Sequence, residues 1–436
     1  FIMGVVSCGT TMLDQGVFQN IGAVSWDTTP KTATFTAVSG EGYFCNTSGG
    51  AFEVDLPAGV AGAIVSVQDY NNTFDTNNLT IDPNGSEKIN GGDAGIALTL
   101  STEGQGLTLV YIDATVGWRS VHSDDFSQVP QTPTFITATG GTITTVDTDY
   151  KVHTFTGPGT FTVCSVGNAA GSNTVSYMVI AGGGGGGGEE GGGGGAGGFR
   201  EGKTPCTPYT ASPLIAPAGL PVSAQAYPIV IGAGGIGIVC DSNPATSGSD
   251  SVFSSITSTG GGRGGDQIEP TKAGGSGGSG GGGSGQATSP GGTGNTPPVS
   301  PAQGTNGGNG ICRSGTTNEA GGGGGGATVA GTAGSNSPNP GGGGGNGGAG
   351  ATTSINGTPT TRAGGGGGGA AGSSGVVGSG GSGGGGAGTK NNTTATAGTT
   401  NTGSGGGGGG GNAGASGGAR GGNGGSGITI IRYKFQ

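Results

Sequence analysis

The chain is poor in charged and aromatic side chains. Only 9% of its 436 residues are charged and 5% are aromatic, whereas 116 residues are glycine. So few large apolar side chains cannot fill one large hydrophobic core, and we expect several small modules instead. The apolar residues are concentrated before residue 181, including an island at 177–180, and in later islands at 227–238, 252–256 and 428–435.

The composition also excludes two broad classes of partner. A net charge of −10 and a pI near 4.5 argue against nucleic-acid binding, which needs a basic surface. No run of 18 or more apolar residues occurs, so we expect no membrane insertion. The first 13 residues are moderately apolar but lack the basic segment of a signal peptide.

The six cysteines form no CxxC pair, which makes a zinc site improbable. Cys45 and Cys164 fall in strand-like segments, where we expect buried free thiols. Disulfides among Cys206, Cys240 and Cys312 are allowed if the protein matures outside a cell. We expect no metal and no cofactor.

No arrangement of catalytic side chains stands out. His122 and His153 lie in strand-like contexts, and we expect a surface or packing role for them rather than catalysis. Glu189 and Glu190 are adjacent and point apart, which favours a solvent-facing bend over the paired carboxylates of a glycosidase. Residues 82–87 are rich in oxygen ligands, as in a calcium loop, but their proline and short length favour a turn. We therefore expect no enzymatic activity.

Long glycine runs dominate the second half of the chain. They are at 182–188, 191–195, 321–326, 341–345, 364–369 and 405–411. Such composition is typical of a flexible linker. The length of the region, the similar lengths of its runs and its return to a strand-like segment at 428–433 favour an ordered structure instead.

The ordered alternative is a bundle of polyglycine-II helices. Such a helix has about three residues per turn and no internal hydrogen bonds, so its amides must pair with neighbouring helices. An interior helix needs glycine on every face, whereas an outer helix tolerates a side chain at every third position. We expect the glycine runs to be interior helices and the mixed stretches 274–281 and 421–427 to be outer ones.

The predicted fold is all-β N-terminal modules followed by a glycine-rich polyglycine-II helix bundle capped by a small β-sheet, with very little α-helix. The predicted divisions are an N-terminal arm or end of an upstream fibre module at 1–30, a β module at 31–122, a linker at 123–133, a β segment at 134–180 and the glycine-rich domain at 181–436, closed by a strand at 428–435. One capping sheet is expected to contain residues 175–180, 229–231, 252–256 and 428–433. Its predicted structural residues are Tyr177, Phe199, Phe253, Ile256, Ile430 and Tyr433.

Several motifs resemble a known family. Val54-Asp-Leu-Pro57 and Gly117-Trp-Arg-Ser120 are similar to a module repeated in tail-fibre proteins of marine tailed phages. The order of Tyr177-Met-Val-Ile-Ala-Gly-Gly183, Gly197-Gly-Phe-Arg200 and Ile428-Thr-Ile-Ile-Arg-Tyr433 resembles the glycine-rich C-terminal domain of phage tail-fibre and adhesin proteins. The resemblance implies a polyglycine-II sandwich whose distal loops bind a host surface.

From this resemblance we expect a non-enzymatic tail-fibre or adhesin protein, located in a virion tail fibre or outside the cell. The expected partners are a host cell-surface glycan or outer-membrane protein, and other fibre subunits in a homotrimer or filament. The recognition loops are placed at 286–303, 328–340, 352–363 and 389–401. Candidate receptor-binding residues are Thr296, Asn306, Asn336, Asn339, Asn356, Thr358, Arg362, Asn391, Asn392 and Asn401.

Two other functions are weighed against this one. The first is a structural subunit of an extracellular or cell-surface filament, joined by strand addition and glycosylated at sequons. The sequons are at Asn46, Asn71, Asn78, Asn84, Asn356, Asn391 and Asn392. The second is an ice-binding protein, which is disfavoured because no regular repeat places threonine on one face.

Overall fold

The computed structural model describes the chain except for residues 1–4, 8–9, 15–16, 19–23, 122–128, 169–170, 206, 239–242, 268–269, 287, 313–318, 336–342 and 412–418. The residues that it describes form strands and extended segments, with no α-helix, which confirms the predicted fold class. None of their elements is a helix long and apolar enough to cross a membrane. The chain divides into two compact units, Phe1–Pro133 and Thr134–Gln436.

The first unit begins with a three-stranded antiparallel sheet of β1 (Val5–Ser7), β2 (Thr10–Asp14) and β3 (Val17–Phe18). The strands that follow it are β4 (Ser25–Lys31), β5 (Phe35–Thr36), β6 (Glu41–Cys45), β7 (Phe52–Asp55), β8 (Ile64–Asp69), β9 (Leu79–Asp82), β10 (Leu98–Leu100), β11 (Gly106–Asp113) and β12 (Gly117–Ser120).

Strands β4 to β9 alternate between two sheets. Strands β4, β6 and β8 pair in parallel in one sheet, and β5, β7 and β9 pair in parallel in the other. The chain therefore winds as a short coil in which each turn adds one strand to each sheet. Strand β10 extends the second sheet, and β11 and β12 extend the first, all in antiparallel pairing. Residues of both sheets share one core, in which Trp118 is fully buried.

The predicted N-terminal arm was wrong over residues 25–30. These residues belong to β4, which pairs in parallel with β6. The ring of Trp26 stacks 5.0 Å from that of Phe44. The strand was missed because Ser25–Lys31 is a polar edge strand without a clear alternation of apolar residues.

The second unit contains β13 (Thr137–Thr139), β14 (Thr142–Val146), β15 (Tyr150–Phe155), β16 (Gly159–Ser165), β17 (Thr174–Ile180), β18 (Phe199–Gly202), β19 (Ile215–Ala216), β20 (Leu220–Pro221), β21 (Ala226–Val230), β22 (Ser251–Phe253), β23 (Ile256–Ser258), β24 (Ile311–Cys312), β25 (Glu319–Ala320), β26 (Ala351–Thr353), β27 (Thr360–Arg362) and β28 (Ile428–Lys434). Strands β24 and β25 form one small hairpin, and β26 and β27 form another.

The single predicted capping sheet was wrong, because its strands lie in two sheets. One sheet has the order β13-β16-β21-β22-β23, and the other has the order β14-β15-β28-β17-β18-β19, with β20 also pairing with β17. Strand β28 lies between β15 and β17 and pairs with both, which leaves it no edge for β22. Side chains of the two sheets meet in one core that includes Phe161, Tyr177, Phe253 and Tyr433.

The opposite face of β17 and β28 carries a second core. Met178, Phe199 and Ile430 are buried there with Tyr209 and with Ile355 from the turn after β26. The predicted segment 134–180 and the predicted domain 181–436 are therefore parts of one compact unit, since β15 and β17 flank the C-terminal strand.

The glycine runs form a lattice of polyglycine-II helices. In helix 182–188, the amides of Gly183, Gly184 and Gly185 donate to three different segments, at Gly425, Gly195 and Thr246. The amide of Gly186 then returns to the first of these segments, at Gly422. The carbonyls of this helix accept from three further segments, which contain Gly261, Gly235 and Gly406. The partner segment thus changes at every residue and recurs at every third residue. A polyglycine-II helix, with three residues per turn, requires this pattern.

Helices surrounded in this way are 182–188, 191–198, 277–285, 321–327, 363–370 and 403–411. This confirms the interior position of the glycine runs at 182–188, 191–195, 321–326, 364–369 and 405–411. The run at 341–345 was wrongly placed inside. Its described part begins an outer helix, 343–350, that carries Asn346 on its partly exposed face.

Of the two predicted outer helices, only 421–427 lies on the outside. The stretch 274–281 was a wrong prediction, because the chain bends near Ser276 and continues as the interior helix 277–285. Ser279 is fully buried in that helix, and its hydroxyl donates to the carbonyl of Gly326 at 3.0 Å. A serine is small enough for the lattice when its hydroxyl finds a backbone acceptor.

Candidate functional site

The connections between polyglycine-II helices gather at the two ends of the bundle. At one end, residues 182, 198 and 427 adjoin strands β17, β18 and β28, and we call this the strand end. At the other end, residues 189–190 join two helices that run antiparallel, and we call this the loop end. Because successive helices reverse direction, consecutive connections alternate between these ends.

The predicted receptor-binding residues are not gathered on one surface. Thr296, Asn356, Thr358, Arg362 and Asn401 lie at the strand end. Asn391 and Asn392 lie at the loop end, and Asn306 lies along the side in helix 304–310. Asn336 and Asn339 lie outside the described residues. The sequence does not encode which end of the bundle a connection occupies, so the candidate residues could not be assigned to an end before the structure.

The hairpin of β26 and β27 is an anchor rather than a free loop. Ile355 in its turn is fully buried in the core on the outer face of β17 and β28. Thr353 Oγ1 donates to Glu201 Oε1 at 2.6 Å, and the Ser212 amide donates to Glu201 Oε2 at 2.9 Å. Arg362 is only 7% exposed, and burial lowers the pKa of its guanidinium. The prediction of a receptor loop at 352–363 was therefore wrong for Arg362, and Asn356 and Thr358 belong to this anchored hairpin.

Asparagines on the outer helices bind amides of their neighbours. Asn306 Oδ1 accepts from the Gly294 amide at 2.9 Å, and Asn423 Oδ1 accepts from the Gly237 amide at 2.9 Å. Asn401 Oδ1 accepts from the Ser426 hydroxyl at 3.0 Å. Asn306 and Asn401, both predicted to contact a receptor, thus have structural partners at the edge of the lattice.

The predicted capping residues divide between the two cores. Tyr177, Phe253 and Tyr433 lie between the two sheets, with Ile256 partly buried beside them. Phe199 and Ile430 lie on the opposite face.

The most unusual group at the loop end is the carboxyl of Glu190. Its side chain is 4% exposed, so the predicted solvent-facing bend was wrong for this residue. Burial raises its pKa to about 7. The hydrogen bond that Gln286 Nε2 donates to Oε2 at 2.9 Å lowers the pKa, but this effect is smaller than that of burial. Glu189 and Glu319 contribute repulsion. Glu189 and Glu190 both have positive φ, at 36° and 52°, which lets two residues reverse the chain between interior helices.

Two described connections at the loop end adjoin each other. Lys390 Nζ donates to the Gly375 carbonyl at 3.0 Å and ties 371–375 to 390–393. Ser373, Ser374 and Asn391 are exposed there. This surface offers hydroxyl and amide groups on a rigid base, which suits hydrogen bonding to a polar ligand.

One group of carboxylates in the described part of the chain has metal-ligand spacing. Glu53, Asp55 and Asp82 offer oxygens within 4.8 Å of one another, and all three are partly exposed. Asp55 and Asp82 are direct partners in the register of β7 and β9. Burial, followed by repulsion between the carboxylates, raises the pKa values of Glu53 and Asp82.

The histidine and cysteine predictions have mixed outcomes. His153 is fully buried between the Gly140 carbonyl and the Tyr433 hydroxyl, which confirms a packing role, and burial lowers its pKa. Cys45 is a buried free thiol as predicted, but Cys164 is exposed because it follows the buried Val163 on the opposite face of β16. His122, Cys206 and Cys240 lie outside the described residues.

Sequence reasoning missed a buried cation. Arg432 is fully buried, its guanidinium lies 4.6 Å from the ring centre of Tyr150 and 5.3 Å from that of Tyr209, and it pairs with Asp147 Oδ2 at 2.6 Å. The sequence signal was Arg432 directly between apolar Ile431 and Tyr433, because a charged side chain that is buried among such residues needs a partner.

Comparison with known proteins adds one family. A family model described as a glycine-rich domain matches residues 154–434. The match runs from within β15 to the end of β28 and thus includes the polyglycine-II lattice together with its capping strands. No curated protein matches the chain.

Proposed function

Because the chain belongs to the glycine-rich domain family, whose model matches residues 154–434, we propose that its lattice is a rigid scaffold for host-surface recognition. In this proposal the protein is a non-enzymatic phage tail-fibre or adhesin protein that acts outside the cell. Its partner is a cell-surface glycan or an outer-membrane protein, and its binding surface is the loop end.

The observation that carries the proposal is the unequal covering of the two ends by the residues that the structure describes. The strand end is occupied by two sheets and by the hairpin of β26 and β27, whose Ile355 is fully buried. The loop end presents connections 371–375 and 390–393, with exposed Ser373, Ser374 and Asn391. Short polar connections on a hydrogen-bonded scaffold lose little entropy on binding.

The test is binding of the full chain to a panel of bacterial cells. Ser374→Arg places a long side chain on the loop end, and Thr358→Arg places the same side chain on the exposed turn at the strand end. We expect saturable binding that falls at least tenfold in Ser374→Arg and is unchanged in Thr358→Arg, with both melting temperatures retained. Equal binding by the two variants would contradict the proposal that the loop end is the recognition surface.

A second candidate is a structural subunit of an extracellular filament. Strand β14 favours it, because Thr142–Val146 is an exposed edge strand without charge or proline, and Ile143 is 45% exposed. Such edges pair readily with other strands. Filaments that form without a phage particle and are abolished by Ile143→Lys would support this candidate over the first.

A further inference from the structure

A groove lined by both polar and apolar groups lies along the side of the bundle. Helices 231–238 and 394–399 form its walls, helix 419–427 forms its floor, and it encloses about 230 Å3. This volume is smaller than that of a typical drug-sized pocket and suits a single small polar ligand. Its lining includes the side chains of Ile238, Thr394, Ala397, Arg420 and Asn423.

The walls of the groove are fixed by backbone hydrogen bonds. The Ala395 amide donates to the Arg420 carbonyl at 2.8 Å, and the Gly398 amide donates to the Asn423 carbonyl at 2.8 Å. On the other side, the Gly424 amide donates to the Gly235 carbonyl at 2.8 Å. A site built on such segments is preorganised, so a ligand need not order it.

The lining of the groove includes two side chains that can donate hydrogen bonds, those of Arg420 and Asn423. Asn423 Oδ1 accepts from the Gly237 amide at 2.9 Å, and an N–H group can only donate, so the oxygen must face that amide. The side-chain NH2 of Asn423 is then the group left for a ligand. Arg420 is exposed and forms no ion pair with any residue in the described part of the chain. Its planar guanidinium matches a carboxylate in a bidentate arrangement.

We propose that this groove binds a carboxylate-bearing sugar ring of the uronic-acid class. The Arg420 guanidinium binds the carboxylate, the Asn423 amide and the Thr394 hydroxyl bind ring oxygens, and Ile238 and Ala397 contact the C–H face of the ring. This inference rests on the proposed function, because it names the chemistry of one surface glycan that the scaffold takes. The net charge of −10 disfavours distant attraction of an anion, so recognition depends on these direct contacts and we expect it to be weak.

The experiment is a calorimetric titration of the full chain with sodium galacturonate, with galactose as the neutral match. We expect a dissociation constant in the millimolar range or below for galacturonate and at least tenfold weaker binding of galactose. Arg420→Gln should weaken galacturonate binding at least tenfold. Arg119→Gln removes the same charge from an exposed position on β12 in the other unit and should leave binding unchanged.

Three results would overturn the inference: equal binding of galactose, unchanged affinity in Arg420→Gln, or acetate binding as tightly as galacturonate. Cell binding separates this inference from the proposed function. Cell binding that Ser374→Arg abolishes, with no galacturonate binding by the parent chain, would leave the proposed function standing without this site. Galacturonate binding that depends on Arg420, with no binding to any cell, would count against the proposed function alone.

Discussion

At the scale of single residues, glycine in this protein is a contact requirement. A side-chain carbon added at Gly193 would lie closer than 3.0 Å to the carbonyl of Gly366, and the same holds at Gly186 against Gly407. Each such carbonyl belongs to a neighbouring helix that is itself surrounded, so it cannot move aside alone. Alanine is therefore excluded from these positions by backbone and not by flexible side chains.

We predict that Gly193→Ala lowers the free energy of unfolding by at least about 2 kcal/mol, because it overpacks the lattice. The matched control is Gly157→Ala in the same unit, where an added carbon has nothing within 4 Å. That variant should stay within about 0.5 kcal/mol of the parent chain. Denaturant unfolding of both variants measures the difference, and equal stabilities would argue against close backbone contact at Gly193.

Glu190 makes stability depend on pH. Its pKa is raised from 4.5 to about 7 in the folded state, so the folded chain binds a proton that the unfolded chain has lost between these values. Stability from this group is thus present below about pH 4.5 and is lost as the pH rises to about 7. The loss is on the order of 2–4 kcal/mol, at about 1.4 kcal/mol per unit of pKa.

We predict that Glu190→Gln is more stable than the parent chain at pH 8 and that the two converge near pH 4.5. Glu189→Gln is the matched variant, because it removes the adjacent carboxylate but leaves the Glu190 carboxyl buried. It relieves only the smaller repulsion, so its stability should still fall as the pH rises from 4.5 to 7. Unfolding by denaturant across this pH range gives the stability of each chain as a function of pH. Burial lowers the pKa of His153, so His153 makes stability rise with pH, opposite to Glu190. Both chains contain His153, so its contribution cancels in the difference between the two curves. A Glu190→Gln curve parallel to that of the parent would mean that the carboxyl is solvated.

At the scale of elements, the sheets supply the apolar burial that the glycine lattice lacks. Phe253 on β22 is fully buried against Phe161, Tyr177 and Tyr227, with ring centres 6.0–6.5 Å apart. This cluster joins the two sheets, one of which contains the neighbouring strands β17 and β28 that adjoin the first and last polyglycine-II helices. The lattice therefore depends on the sandwich for its alignment.

We predict that Phe253→Ala lowers the free energy of unfolding of the second unit by about 3–5 kcal/mol. Val230→Ala, on the neighbouring strand β21 at a position 48% exposed, should cost less than about 1 kcal/mol. Thermal unfolding followed by calorimetry compares the two variants. Similar losses in both would show that the interface between the sheets does not stabilise the unit.

Elements whose cause is local were predictable from the sequence. The glycine runs correctly predicted most of the interior helices, because only glycine permits close backbone contact on every face of a helix. The direction of each helix was not predictable, since it depends on hydrogen bonds between segments such as 184 and 195. Without directions, the anchored hairpin at 352–363 was taken for a recognition loop. The interior position of Ser279 was not predictable for a related reason, because nothing local indicates that its hydroxyl has an acceptor inside the lattice.

At the scale of the whole molecule, the proposed role needs a glycine region that is rigid. A flexible linker and a polyglycine-II lattice have the same composition but opposite consequences for recognition. In the described part of the lattice most interior amides have a carbonyl partner, as for Gly194 with Gly406 and Gly324 with Gly366, both at 2.8 Å. In a linker these amides would be solvated.

Amide hydrogen exchange of the full chain distinguishes these two states most directly. Glycines in helices 191–198 and 321–327 should exchange as slowly as β28, because opening an interior helix breaks hydrogen bonds on all sides. The exposed connection 371–375 provides the internal reference for fast exchange. Slow exchange in the interior helices would support the lattice, and exchange as fast as in 371–375 would contradict it and leave a flexible chain.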